Sequence, residues 1–239
     1  MGRNATLLIG WTAALALVAA FCALGAWQLG RQDEKQAMLD AVAGTVALRE
    51  PVALAAAAEP ARLREYDWAA GAGHFAQAPA VLLDNQQRGG RAGVRAYRAF
   101  VPDGSGQPLL VELGWLPLPG DRTLPVVERP AGPREVAGLL APPPSHGIGP
   151  AGSAAQGDGT LLAIGLDPAA LAGALGLPGL APRVLKLDPA DGIGYARDLD
   201  VLPNTLPPER HLGYAVQWFA LALAVLATAL VLTFRRSRP

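Results

Sequence analysis

Two long stretches of this chain carry no charge. Residues 4–30 and residues 211–234 contain no Asp, Glu, Lys or Arg. Each exceeds the ~20 apolar residues needed to cross a bilayer. Their centres, ALALVAAFCALGAW and WFALALAVLATALVLTF, are apolar all round, as lipid-facing helices are, rather than one-sided like surface helices. Backbone groups in lipid must bond to one another, so helix is the expected form. The pattern predicts a first membrane helix at 5–29, a domain at 30–210, a second membrane helix at 211–234 and a basic tail at 235–239. A cleaved signal peptide is the alternative for the first segment. Its apolar run ends in Trp27-Gln28-Leu29 with no small-x-small cleavage site, so it reads as an uncleaved anchor. Gln28, Arg31, Gln32 and Lys35 recur at i, i+3, i+4 and i+7, one polar face that continues the helix to about Ala43.

Between the two segments the texture changes. PVALAAAAEPAR reads as a short Ala-rich helix opened by Pro51, or as a plain spacer. After Tyr66 come short extended runs broken by Gly and Pro: 67–75, 80–84, 95–101, 108–113, 135–140, 160–164 and 183–187. Their spacing predicts antiparallel strands in meanders or a small barrel. A short helix is expected at 167–175, with Asp167 as cap and Pro168 at its first position. The segment 141–159 has no apolar period and reads as a flexible loop. The predicted fold class is α+β: two transmembrane helices flanking a β-rich extracytoplasmic domain with a few short helices.

Charge then gives orientation. Twenty basic residues balance twenty acidic ones, which gives no support for a nucleic-acid binder. Arg235, Arg236 and Arg238 close the second helix, and an excess of Arg and Lys marks the cytoplasmic side. Two crossings return the N-terminus to that side and place the middle domain outside. A single cysteine, Cys22, excludes an internal disulfide, a CxxC site and CxxCH haem attachment. No GxSxG, HExxH or Gly-rich phosphate loop is present, so a hydrolase or a nucleotide enzyme has no positive signal.

Three histidines are the candidate chemistry. His74 falls in an expected strand and reads as structural. Ser145-His146 lies in the Pro/Gly loop, and adjacency in sequence does not make a catalytic pair. His211 stands at the mouth of the second helix and shares one face with Tyr214, Ala215 and Trp218. An ionisable residue there suggests function; an interfacial anchor explains Tyr214 and Trp218 equally well. Neutral imidazole is also a good axial haem ligand. Arg88, Arg91, Arg95 and Arg98 form the densest basic stretch, either a solvated hairpin edge or an anion or partner contact.

Three segments carry a resemblance. Leu24-Gly25-Ala26-Trp27-Gln28-Leu29-Gly30-Arg31 with Lys35 resembles an LGxWQxxR…K signature. Val111-Glu112-Leu113-Gly114-Trp115-Leu116-Pro117, after Asp84-Asn85-Gln86, resembles a strand with a GW-x-P turn. His211-Leu212-Gly213-Tyr214-Ala215-Val216-Gln217-Trp218-Phe219 resembles an HxxYAxxWF helix opening. These motifs, in this order, are similar to the surfeit locus protein 1 family of cytochrome c oxidase assembly factors. Gln86 stands where that family usually has Arg, and Gly93-Val94 where a Gly-aromatic pair is common.

The resemblance implies a non-enzymatic factor in a bacterial inner membrane, with two passes, cytoplasmic termini and a periplasmic domain. It implies help in delivering or inserting haem a into the catalytic subunit of a haem-copper oxidase, with a haem a synthase and a copper-insertion factor as further partners. His211 is then the expected iron ligand, Tyr214, Trp218 and Trp27 the ring contacts, and Arg31 or Arg210 the propionate partners. The alternatives are a protein–protein scaffold that carries no haem, and an extracytoplasmic sensor, for which the cytoplasmic tails are short.

Overall fold

Proline first occurs at position 51, so nothing breaks the opening helix. In the computed structural model α1 runs over Arg3–Leu48. It ends at Arg49, whose φ of 50° is a left-handed cap and whose N–H returns to the Thr45 carbonyl at 2.9 Å. The structure describes residues 3–104, 107–144, 152–157, 159–202 and 205–235. Forty-six residues make a helix of about 70 Å, more than twice the ~30 Å hydrocarbon core. The described residues form two compact units, Met1–Asp40 with Thr205–Pro239, and Ala41–Asn204.

The first unit pairs α1 with the last helix, α3 (Pro208–Arg235), which opens on a proline whose missing N–H costs nothing there. Contacts between positions 11 and 233, 21 and 218, and 28 and 211 make the pair antiparallel. Covered positions on α1 recur at Leu7, Trp11, Ala14, Val18, Phe21, Gly25, Gln28, Gln32 and Lys35. On α3 they recur at Pro208, His211, Ala215, Trp218, Ala222, Val225, Ala229 and Thr233. Steps of three and four are the seam of a left-handed helix pair. The remaining surface of both helices is apolar and exposed through 5–30 and 212–234. Both helices are long and apolar enough to cross a membrane.

The second unit is the β-rich one. Its strands are β1 (Pro51–Ala53), β2 (Asp67–Phe75), β3 (Val81–Arg88), β4 (Arg91–Pro102), β5 (Leu109–Pro117), β6 (Pro133–Ala141), β7 (Ser153–Ala155), β8 (Leu161–Ala163) and β9 (Val184–Leu187), with helix α2 (Pro168–Ala174) before β9. They form one sheet in the order β1-β2-β6-β9-β5-β4-β3-β8-β7. A further pairing of β2 with the end of β4 closes β2-β6-β9-β5-β4 into a small barrel. β5 is buried on both faces. Leu109, Val111 and Leu113 enter the cluster with Phe100, Leu140 and Leu185, while Leu110 joins Tyr97, Val184, the α2 residue Leu171 and the C-cap Leu175. That two-sided burial is why β5 reads as a nearly continuous apolar run. α2 is capped as expected, with Asp167 accepting from the N–H groups of Ala169 and Ala170.

Some expectations are corrected. The Ala-rich segment is not an α-helix: Pro51–Ala53 pairs with β2, then Leu54–Ala58 and Pro60–Arg62 make two 3-10 turns. The strands are not all antiparallel, since β1–β2, β3–β8 and β5–β9 run parallel. Long crossovers bring β8 and β9 back beside earlier strands, which a two-residue turn cannot do. The expected loop holds β7; its residues 145–151 and 158, His146 among them, lie outside the described residues. The arginine stretch is split by the pleat. Gly89 and Gly90, both at positive φ, turn the β3–β4 hairpin, and Arg91 is exposed beside that turn. Arg95 is buried, and Arg98 donates to the carbonyls of Ala78 and Val127.

Candidate functional site

Polar side chains on an otherwise apolar helix turn toward a partner, because lipid offers them none. Gln28, Lys35 and His211 are among the polar residues on the seam of the helix pair. Lys35 is only 8% exposed and donates to the Leu206 carbonyl, just before the two prolines that lead into α3. His211, on the first turn of α3, is 7% exposed. Its Nδ1 lies 2.7 Å from the Gln28 side-chain oxygen. A proton on Nδ1 of the neutral ring would donate to that oxygen and leave a lone pair on Nε2. Nε2 is buried and has no hydrogen-bond partner among the described residues.

The neighbours of this pair explain its packing. Gly25, one turn back on α1, carries the Phe219 ring. A Cβ at Gly25 would stand 2.8 Å from two ring atoms, so only glycine lets the ring lie there. Phe21 and Trp218 follow, with ring centroids 5.6 Å apart and planes tilted by 32°. The structure thus joins His211 and Trp218 with Gln28, Gly25, Phe21 and Phe219 in one seam. Tyr214, 38% exposed, and Trp27, 57% exposed, stand outside it. Arg31 is half exposed and pairs with Glu34 of its own helix; Arg210 is exposed.

Gln28, Gly25, Phe21 and Phe219 were not singled out by sequence reasoning as site residues. The heptad spacing of 21, 25, 28, 32 and 35 is the signal that finds them, since it places Gln28 on the same stripe as Phe21 and Gly25. Grouping Gln28 with Arg31 as one polar face hides that stripe.

A second concentration of polar groups lies in the β unit. Glu112, 1% exposed, accepts from Arg95 at 2.5 Å, Tyr97 at 2.9 Å and Lys186 at 2.9 Å. Burial alone opposes its ionisation, but the charges of Lys186 and Arg95, and hydrogen bonds from Lys186 and Tyr97, hold its carboxyl below the usual carboxylate range. Burial and the Glu112 charge push the Tyr97 phenol well up. Every partner of Glu112 is internal, so this cluster fixes β4, β5 and β9 to one another. The GW-x-P segment bends beside it. Gly114, at φ 125°, makes a bulge at which Leu113 has no β4 partner, and a Cβ there would meet the Tyr195 backbone at 2.7 Å. Gly93 lies under the Trp115 ring, 2.5 Å from where its own Cβ would be. An aromatic residue next to Gly93 is absent, and Val94 faces the core instead.

Among the described residues no group of three or more His, Cys, Asp or Glu could hold a metal ion. Compared with known families, residues 15–223 match the SURF1 family. No curated protein matches the chain.

Proposed function

Because the chain belongs to the SURF1 family, known for cytochrome oxidase assembly, we propose that it helps deliver haem a to the catalytic subunit of a haem-copper oxidase. It is a two-pass membrane protein. The observation that carries the reading is the setting of His211: its Nδ1 lies 2.7 Å from the Gln28 side-chain oxygen, and its buried Nε2 has no partner among the described residues. An axial haem ligand needs that arrangement, and a ligating histidine characteristically donates its other nitrogen to an oxygen.

Haem a, once bound, supplies an iron that accepts one imidazole nitrogen. The chain's own residues do the rest. His211 offers Nε2. Trp218, with Tyr214 and Trp27 on the outer surface, offers aromatic faces to a flat macrocycle. Arg31 and Arg210 offer charge-assisted donors to its propionates. The ring of His211 is nearly closed off by the seam, so the two helices would have to part at that level for His211 to offer Nε2 to a ligand. The β-rich domain would stand on the periplasmic side of a bacterial inner membrane, with both termini cytoplasmic. There it would dock the oxidase subunit, with a haem a synthase or copper-insertion factor as further partners.

Deleting the gene in a strain that makes haem a tests the reading. Assembled oxidase should fall severalfold while total haem a falls little. Loss of haem a synthesis itself would contradict it. The closure of the seam over Nε2 favours one second reading, a scaffold that holds an assembly intermediate without haem. A haem-free protein recovered bound to the oxidase subunit would select that one.

A further inference from the structure

We propose that Gln28 is the positioning residue of this site: it fixes which nitrogen of His211 carries the proton and which presents its lone pair. The use of that lone pair toward haem a rests on the function proposed above; the protonation pattern itself does not.

The imidazole of His211 has two ring nitrogens. In water the neutral imidazole exchanges its proton between them, because solvent serves either one. Here solvent is gone: His211 is 7% exposed, and Nε2 is buried with no partner among the described residues. Gln28 is the one described side chain that meets the ring with a hydrogen bond, through its oxygen at 2.7 Å from Nδ1. A proton at Nδ1 completes that bond. A proton at Nε2 would bury an N–H with no acceptor and set a lone pair against the Gln28 oxygen, losing twice. The charged ring would need an acceptor at both nitrogens and has one, in a seam that also carries Lys35 two turns along α1 from Gln28.

The seam holds Gln28 in place. Gly25, one turn earlier, admits the Phe219 ring, and that close approach brings α3 near enough for a glutamine to span the gap. A longer residue at position 25 would move the imidazole away. Gln28 does not touch the ligand; it acts through His211.

The test uses the full chain in detergent, free of haem, at one neutral pH, with its histidine ring nitrogens labelled for NMR. His211→Ala identifies the His211 signals among the three histidines. The expected result is a protonated Nδ1 and an unprotonated Nε2. Gln28→Leu should shift the proton between the two nitrogens, and Gln28→Glu, which keeps an oxygen in reach, should restore the original pattern. A wild-type ring protonated at Nε2, or a Gln28→Leu ring unchanged at both nitrogens, overturns the proposal. Haem a binding gives a second readout. Losing such an outer partner costs about 10–100-fold in affinity, so Gln28→Leu should weaken binding by that factor and Gln28→Glu should not. If the NMR pattern is as expected while His211→Ala still binds haem a, the haem reading fails and the protonation assignment stands.

Discussion

Replacing Glu112 by Gln keeps the shape of the buried side chain in the β unit but removes its charge and one of its two accepting oxygens. Glu112 is 1% exposed and receives Arg95, Lys186 and Tyr97 at 2.5–2.9 Å. Glutamine has one accepting oxygen and one donating nitrogen, so at least one donor group meets another donor. Two cations, Arg95 and Lys186, are then buried without their counter-ion. Breaking a buried pair in this way costs about 3–5 kcal/mol. For a unit of this size each kcal/mol moves Tm by ~2–4 °C, so the loss should be roughly 6–20 °C. Thermal unfolding of the purified protein in detergent, followed by near-ultraviolet circular dichroism, measures it. The pH dependence is a second check. A carboxyl held low in the fold stabilises above its unfolded value of about 4.3, and that stability drains as pH falls through the folded value. Wild type should therefore lose stability on acidification by more than Glu112→Gln does. A Tm change under about 2 °C, or parallel acid profiles for the two proteins, would mean that Glu112 is not the buried counter-ion of Arg95 and Lys186.

In the helix pair, Gly25→Leu should force the Phe219 ring aside and cost about 1–3 kcal/mol of stability, whereas Gly30→Ala, which meets nothing within 4 Å, should be neutral or stabilise by up to ~1 kcal/mol; thermal unfolding of both variants decides. Arg183 is fully buried, 2.8 Å from the Asp67 carboxylate and bonded to the carbonyls of Glu65 and Leu140. Arg183→Met should destabilise the protein by about 3–5 kcal/mol in denaturant unfolding, and an unchanged midpoint would show that these carbonyls find water instead.

The elements most legible in the sequence were those set by one local signal. The absence of charge gave both long helices, β2 was placed at its observed ends, and Asp167-Pro168 marked α2. What escaped depended on distant partners. The Ala-rich segment has helical propensity, yet its first residues are held extended by pairing with Trp68, Ala69 and Ala70. The parallel pairings of β8 and β9 follow from crossovers that no local pattern records. At the site, His211 and Trp218 were visible as one face. Tyr214 shares their spacing but lies to the side, because a seam of steps three and four takes Ala215 instead. Gln28 was grouped with charged neighbours, and only the approach of α3 shows that it faces inward.

The central claim is that His211 holds haem a. The direct measurement is the haem a content per chain of protein purified from cells that make the pigment, read from its absorption spectrum and by acid extraction, for wild type, His211→Ala and the Gly30→Ala control. Wild type and Gly30→Ala should carry haem a in equal amount, and His211→Ala, equally folded by circular dichroism, should carry little or none. An undiminished haem a spectrum in His211→Ala would contradict the account.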